Sequence, residues 1–352
     1  MTAMPSVGME FFMILKRPAY CRHFRCTADK CTDSCCIGWE IDIDPEKAAY
    51  YLQLDGEIGE RLKASITEGE NCSFILDEKE RCPFLNEQGL CDLILTLGEE
   101  SLCEICTEHP RFYNWYGGFK EGGIGMCCEE AARLILTDPE PFTVVSDEIT
   151  ETPDTSCDEA LYEILDKARM TIIRHLERTE IPLMQRIADV LSYGVELEYA
   201  LAEEKPIPTT IGQDSRLPDF PMDSIFEMLE QLEAMGENWH PFIKHCHSME
   251  PDAVMSHIEL NEEGNRYLRN IAIYFVWRYM MQSIDDGDLM GHLGFAAGST
   301  AVIRYLFACH LTEHGTLTQS DCIRIAVNYA KEIEYAEENR MAMEDVFYAC
   351  LG

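Results

Sequence analysis

Cysteine is the residue type that could do chemistry in this chain. Twelve of the 17 cysteines fall in the first 128 positions, at Cys21, Cys26, Cys31, Cys35, Cys36, Cys72, Cys82, Cys91, Cys103, Cys106, Cys127 and Cys128. The runs Cys26-x4-Cys31-x3-Cys35-Cys36 and Cys103-x2-Cys106 set thiolates within one or two turns of backbone, where they can converge on a soft metal. Around them lie Cys82-Pro-Phe-Leu, Cys91 behind the turn residues Asn86 to Gly89, the segment Cys106-Thr-Glu-His109-Pro110-Arg111-Phe112, and Cys127-Cys128. Ten thiols (Cys26, Cys31, Cys35, Cys36, Cys82, Cys91, Cys103, Cys106, Cys127, Cys128) and the His109 imidazole are therefore candidate ligands. Ten exceeds the four that one zinc ion or one four-iron cluster takes, so either two centres exist or several thiols are only packed. Neighbouring side chains point apart, so in Cys35-Cys36 and Cys127-Cys128 one member is expected to ligate while the other packs or serves a second centre. Cys21 and Cys72 lie off the spaced runs and read as core residues.

The elements that position these thiols must be a cysteine-rich, irregular N-terminal domain with short strands, assigned to residues 1–137. The apolar patch ending at Leu15 reads as its first strand; it has no basic leader and no cleavage site, so no export signal is expected. Residues 138–158, rich in Pro, Thr and acid, read as a linker, with Phe142 to Ser146 as a possible strand. From Cys157 onward apolar residues recur at helical spacing, as in Leu161, Ile164, Leu165, Ala168, Ile172, Ile173 and Leu176. Further helices are predicted over Pro182 to Ala202, Asp223 to Met235, Leu260 to Ile284, Gly298 to His314 and Thr318 to Glu334. The fold class is mainly α, with an acidic helical domain over 159–352.

Charge and hydropathy exclude several functions. The net charge of −36 divides into −11 over residues 1–137 and −25 over 138–352. No cluster of Lys and Arg exists to release counterions from phosphates, which argues against nucleic acid. No stretch approaches the roughly 20 apolar residues of a membrane span. The odd cysteine count and the chain's size argue against a disulfide framework, so a reducing, cytoplasmic setting is expected. Acidity beyond what solubility needs suits a lysine-bearing protein partner.

Three other constellations were weighed. Cys-His nucleophilic catalysis needs one activated thiolate, not ten. Glu121-Gly122-Gly123-Ile124-Gly125 ahead of the helix-like Glu129 to Leu136 resembles a nucleotide-binding turn. Tyr116 to Lys120 reads as a loop, however, where such a turn requires a strand, and the glycines are expected to let backbone approach a metal site. His245-Cys246-His247 is too tightly spaced for all three side chains to share one tetrahedral ion.

The order of the motifs resembles the flagellin lysine-N-methylase family. Cys26-Thr-Ala-Asp-Lys-Cys31-Thr-Asp-Ser-Cys35-Cys36-Ile-Gly-Trp39 is followed by Arg81-Cys-Pro-Phe-Leu-Asn86, Gly89-Leu-Cys-Asp92, Leu97 to Cys106, His109-Pro-Arg-Phe112 and Cys127-Cys-Glu-Glu-Ala-Ala-Arg133. The likeness is strong over residues 20–137 and weak beyond, and is shared in part with a wider group of zinc- or iron-chelating cysteine domains. It implies a cytoplasmic enzyme that methylates surface lysines of flagellin, with S-adenosylmethionine as methyl source and an iron-sulfur cluster (4Fe-4S) or zinc on the cysteines. Arg111 would then suit the donor's carboxylate, and Tyr113, Trp115 and Trp39 would suit a cofactor or lysine pocket. The chain departs from the Cys-x3-Cys-x2-Cys run of radical enzymes, because Gly38 follows Cys31-x3-Cys35, which leaves direct transfer and reductive cleavage as open mechanisms. The alternative function is a metal-binding or redox module that docks a partner without methyl transfer. A closed pocket beside the cysteines, large enough for a nucleoside, would separate the two.

Overall fold

The structure, a computed structural model, describes residues 12–67, 69, 71–153 and 156–351. Six strands are present among them: β1 (Phe12–Pro18), β2 (Asp42–Ile43), β3 (Cys72–Ser73), β4 (Arg111–Tyr116), β5 (Phe119–Ile124) and β6 (Val144–Thr150). The expected first strand thus runs over Phe12–Pro18, and its residues 1–11 lie outside the described residues. Four strands form one sheet in the order β4-β5-β1-β6, while β2 and β3 form a separate ribbon. β1 pairs in parallel with β5 and antiparallel with β6, so it is an inner strand of an open sheet whose edges are β4 and β6. The 138–158 segment therefore carries a seven-residue strand, placed in full register from Phe12↔Thr150 to Pro18↔Val144.

A parallel pair needs a long crossover, and here the crossover from β1 to the β4-β5 hairpin holds the thiol-rich region. Residues between them build a lobe with its own small core: Ile41, Ile43, Ala48, Tyr51, Leu62, Ile66, Phe74, Phe84 and Leu93, together with Cys82 and Cys103. The second, larger core takes Tyr116, Ile124 and Met126 from the sheet side and extends through the helices to Phe347. Apolar burial thus joins the sheet to the helical body and leaves the cysteine lobe as an excursion from it.

The glycine run is a correction to the sequence reading. Gly122 and Gly123 lie inside β5, opposite Tyr113 and Phe112 of β4. A Cβ at Gly123 would come within 2.3 Å of the Phe112 ring, and one at Gly122 within 2.9 Å of the Tyr113 ring. These glycines make room for aromatic rings laid across the strand, and the turn that builds the hairpin is Gly117-Gly118, with Gly117 at φ +58°. Gly125 does the same one residue beyond the strand, where a Cβ would meet the Tyr335 hydroxyl at 1.8 Å.

The helical body is built from Glu159–Leu176, Leu183–Ala202, Met222–Leu229, Glu262–Tyr279, Leu289–His314, Gln319–Tyr329 and Glu337–Ala349, with shorter helices between. The chain is mostly helical, as expected for the mainly α class. Leu289–His314 begins nine residues earlier than the predicted start at Gly298, and so takes in Gly291, Gly294 and Gly298, residues of low helix propensity. Packing reverses that preference: a Cβ at Gly298 would sit 2.2 Å from the Phe347 ring, so the glycine lets the last helix lie close. The helix Gln319–Tyr329 opens on a reciprocal cap between Thr318 and Asp321 and passes into a π-helical turn, Ala330–Glu334. No helix among the described residues is long and apolar enough to cross a membrane.

Candidate metal centre

Local backbone pairing brings the lobe's thiols together. The Cys82 amide donates to the Cys36 carbonyl at 2.8 Å and Gly38 donates to Glu80 at 3.0 Å, so the two segments run side by side. Asn86 folds the next turn by accepting from the amides of Gln88 and Leu90, both at 3.0 Å, which returns Cys91 against Leu85. Cys103 stands at the start of the helix Glu104–Glu108, and one turn places Cys106 against it. Asp44 fixes that helix by accepting from the Glu104 amide at 2.9 Å while it caps its own helix through Lys47.

The thiols sort into two groups. Cys36, Cys82, Cys91, Cys103 and Cys106 form the inner group, in which neighbouring thiolates oppose ionisation of Cys82, Cys91 and Cys106. Burial pushes Cys82 up to about 12, and Cys36, Cys91 and Cys103 add to the rise. Cys106 is raised above the usual thiol range by its bond to Cys103, by burial and by Cys36 and Cys82. Cys36 is lowered to about 7 by its bond to Cys35, and Cys103 is lowered by its bond to Cys106. The outer group is Cys26, Cys31, Cys35 and Cys128. Cys35 is raised by Cys36, by burial and then by Cys128 and Cys26, and Cys128 is pushed up to about 11 by burial, with Cys31 and Cys26 contributing. The Cys35 and Cys36 thiols are bonded to each other, so this adjacent pair joins the two groups, where alternating side-chain direction leads one to expect them to part.

Contacts from distant elements hold the outer group. The Thr32 amide and hydroxyl both donate to Glu129 at 2.8 Å, which draws the loop 31–35 onto the helix Glu129–Thr137 and its capping residue Cys128. Lys331 pairs with Asp33 from the π-helical turn. Trp39 packs edge-on against Tyr335 at 5.6 Å and His109 at 6.0 Å, bridging lobe and helical body.

Other residues singled out from sequence go elsewhere. Cys127 is buried and bonded to Tyr335, and burial pushes it up to about 12, with Cys128 adding to the rise. His109 packs on Trp39, and burial with nearby Lys331 lowers its pKa to about 4. Arg111 lies exposed over the Phe24 ring and donates to the Thr107 carbonyl at 3.1 Å. Tyr113 bonds Glu108 at 3.2 Å, and Trp115 donates to Glu151 at 2.8 Å. The His245-Cys246-His247 side chains diverge as expected: His245 reaches Glu313, His247 reaches Glu230 and Asp223, and Cys246 turns inward to Cys309.

By donor type, four and five clustered thiols fit a soft metal or an iron-sulfur cluster. Their positions are not a closed shell: among the described residues no three His, Cys, Asp or Glu side chains are set as ligands of one ion. Burial raises most of these thiols, so a bound cation would displace their protons, as metal binding to cysteine does.

The sequence reading missed a second buried cluster behind Cys127. Arg278 lies 3.3 Å from Glu334 and donates to Tyr274 at 2.6 Å, among the rings of Phe112, Tyr279 and Tyr335. Tyr274 and Tyr279 also donate to Glu334, at 2.8 and 3.0 Å. The only advance signal was the polar character of Arg278, Glu334 and the tyrosines within otherwise apolar helices. A Cβ at Gly125 would meet the Tyr335 hydroxyl, so the cluster abuts the segment that leads to Cys127-Cys128 and holds it on the body.

His109 gives a pH test of this interface. The unfolded chain takes up the imidazole proton near 6.5, but the folded chain takes it up only near 4. Stability present above pH 6.5 is therefore lost as pH falls toward 4, by about 2 to 3 kcal/mol. Denaturant titrations at pH 7 and 4.5 should show that loss shrinking in His109→Gln; an unchanged loss would assign it to other groups.

With this geometry in hand, comparison with known proteins gives the class. Residues 229–350 match the family model of the FliB lysine N-methylase C-terminal domain. The chain is 21% identical over 374 residues to a lysine-N-methylase of Salmonella choleraesuis (strain SC-B67), an alignment covering 91% of this chain and 92% of that protein. A lysine-N-methylase of Salmonella typhimurium is also 21% identical, over 368 residues. The flagellar biosynthetic protein FliU of Salmonella muenchen is 29% identical over 141 residues, which is 36% of this chain and 79% of that protein. No solved structure matches. Over most of its length the chain is similar to proteins named lysine-N-methylase, and the likeness extends into the helical half, where the cysteine motifs offered no guide.

Proposed function

We propose that this protein transfers methyl groups from S-adenosylmethionine to the ε-amines of lysines on flagellin in the cytoplasm, with an iron-sulfur cluster or zinc held by its cysteines. The observation that carries this reading is the likeness, over nine-tenths of the chain, to proteins named lysine-N-methylase. The two thiol groups support the metal part: Cys36, Cys82, Cys91, Cys103 and Cys106 would hold one centre, and Cys26, Cys31, Cys35 and Cys128 a second. Such a centre supplies either structural order or electrons when bound. In direct transfer, the neutral lysine nitrogen bonds to the sulfonium methyl, the carbon–sulfur bond breaks with its electrons going to sulfur, and the nitrogen releases a proton to a nearby acceptor. Exposed Arg111 remains the candidate for the donor's carboxylate, with Tyr113 and Trp39 as candidate cofactor contacts.

One observation favours a second reading, a metal-binding or redox module that docks a partner. The large cavity of about 760 Å³ lies in the helical body, and no cysteine, Arg111, Tyr113 or Trp39 lines it.

The test is anaerobic purification with metal and acid-labile sulfide analysis of the wild type, Cys35→Ala and Cys36→Ala, each then assayed for methyl transfer to flagellin. Each variant is expected to lose the metal of its own group only. Because outer-shell partners of a metal ligand already cost about 10- to 100-fold, removing a ligand of a working centre should lower transfer by about 100-fold or more. Transfer retained in both folded variants would make the metal dispensable for the chemistry. A metal-replete wild type that transfers nothing would leave the docking module.

A further inference from the structure

The same cavity is an open groove with a defined chemical character. Met184, Phe220, Met222, Ile258 and Tyr305 form an apolar floor. Two large apolar side chains stand exposed on its walls, Leu217 at 54% and Met255 at 53%. Five acidic side chains line it and one arginine does. That arginine, Arg304, is already paired with Glu259 at 2.7 Å, and Glu180 with Arg178 at 2.7 Å. Asp189, on the buried side, accepts from Gln185 and from the Ser215 amide. Asp214 and Asp219 form no ion pair among the described residues, and both are exposed beside Leu217.

We propose that this groove docks a lysine-bearing, amphipathic segment of the protein substrate, at a distance in the fold from the thiol groups. The reading rests on the methyl-transfer function above, and charge complementarity selects the occupant. A −36 chain presents here an acidic rim with its only cation neutralised, which attracts Lys-bearing polypeptide and repels acidic partners. Methionine-lined surfaces adapt to many apolar side chains, which suits a docking site that must accept a segment without reading it closely. Exposed Leu217 and Met255 supply apolar area that the folded chain itself does not cover. Docking would raise the local concentration of lysines near the transfer site without taking part in the chemistry.

The experiment uses the full-length, metal-replete protein in two variants, Asp214→Lys with Asp219→Lys, and Leu217→Glu with Met255→Glu. All four positions are exposed, and Asp214 also lies at φ +64°, where Lys is less favourable than Asp, so binding is compared at a temperature below the melts of every variant. Two quantities are read: equilibrium binding of flagellin, and KM and kcat for its methylation beside those for a short peptide carrying one acceptor lysine. Expected are about tenfold weaker flagellin binding and a similarly raised KM, with kcat and the peptide reaction unchanged. Added salt should weaken wild-type binding and leave the charge-reversed variant little affected. Unchanged binding and KM in both variants would overturn the proposal, as would loss of S-adenosylmethionine affinity with flagellin affinity intact, or a dimer in solution that the variants abolish without altering flagellin binding. A wild type that binds flagellin through this groove but transfers no methyl would refute the enzymatic reading and leave the docking proposal standing; a wild type that does not bind flagellin would refute the docking proposal.

Discussion

Arg169→Met is expected to lower folding stability by about 3 to 5 kcal/mol, because it strips a buried carboxylate of its counter-ion. Arg169 is wholly buried on the helix Glu159–Leu176 and meets Glu121 of β5 in a two-pronged pair, both contacts 2.6 Å, with Asp166 also at 2.6 Å. Its guanidinium lies 4.0 Å from the centre of the Trp277 ring. With the arginine gone, Glu121 keeps one donor, the Tyr162 hydroxyl at 2.7 Å, while Asp166 still has Lys16 at 2.8 Å. The cost therefore falls on Glu121. The double variant Arg169→Met, Glu121→Gln should recover more than half of the loss, since it removes the stranded charge along with its partner. A contrasting pair is Arg178–Glu180, with side chains 39% and 61% exposed; Arg178→Ala should change stability by no more than about 1 kcal/mol. Urea denaturation of the four proteins would decide the matter, and equal losses in the single and double variants would mean that packing of the arginine stem, not charge, is what counts.

That pair shows where the sequence ceases to be legible. The chelate runs could be read because the thiols of Cys26 to Cys36 and Cys103 to Cys106 are close along the chain, and local geometry decides which thiols can meet. Side-chain direction alone did not part Cys35 from Cys36, whose thiols are bonded to each other. Helices such as Leu183–Ala202 announced themselves by apolar period. The glycines misled because their use is set by partners far away: Phe112 and Tyr113 for the β5 pair, Tyr335 for Gly125, Phe347 for Gly298. No local rule distinguishes a glycine that frees the backbone from one that seats a ring. Cys127 and Cys128 differed for the same reason, since Tyr335 claims one and the loop 26–35 claims the other. The possible strand at Phe142 to Ser146 was legible, but its run on to Thr150 was masked by Asp147 and Glu148, acidic residues that an edge strand tolerates; Asp147 there pairs with Arg17 at 2.6 Å. The groove could not be foreseen at all, because its walls come from segments about 120 residues apart.

Arg278→Met should cost a comparable amount, about 3 to 5 kcal/mol at neutral pH, and the loss should depend on pH. Glu334 is fully buried, and burial already raises its pKa against the opposing pull of Arg278, Tyr274 and Tyr279. Removing the cation leaves two tyrosine hydroxyls on Glu334 Oε2 and nothing on Oε1, which has no hydrogen-bond partner among the described residues even with Arg278 present. The carboxyl then rises further and takes a proton to remain buried. A carboxyl whose folded pKa lies above its unfolded value favours folding below the unfolded pKa, and that advantage is lost as pH rises, by about 1.4 kcal/mol per unit until the folded pKa is reached. The deficit of Arg278→Met should therefore be small near pH 5 and grow toward pH 8, whereas Arg278→Met, Glu334→Gln should show a flat deficit. Thermal melts of wild type and both variants at pH 5, 6.5 and 8 would measure this, and a deficit in Arg278→Met that does not change with pH would locate the cost in the ring cage of Phe112, Tyr279 and Tyr335. Since those rings and Tyr335 also hold Cys127 and Trp39, the same variant should loosen the attachment of the cysteine lobe to the helical body, readable as faster amide exchange over residues 126–128 before global unfolding.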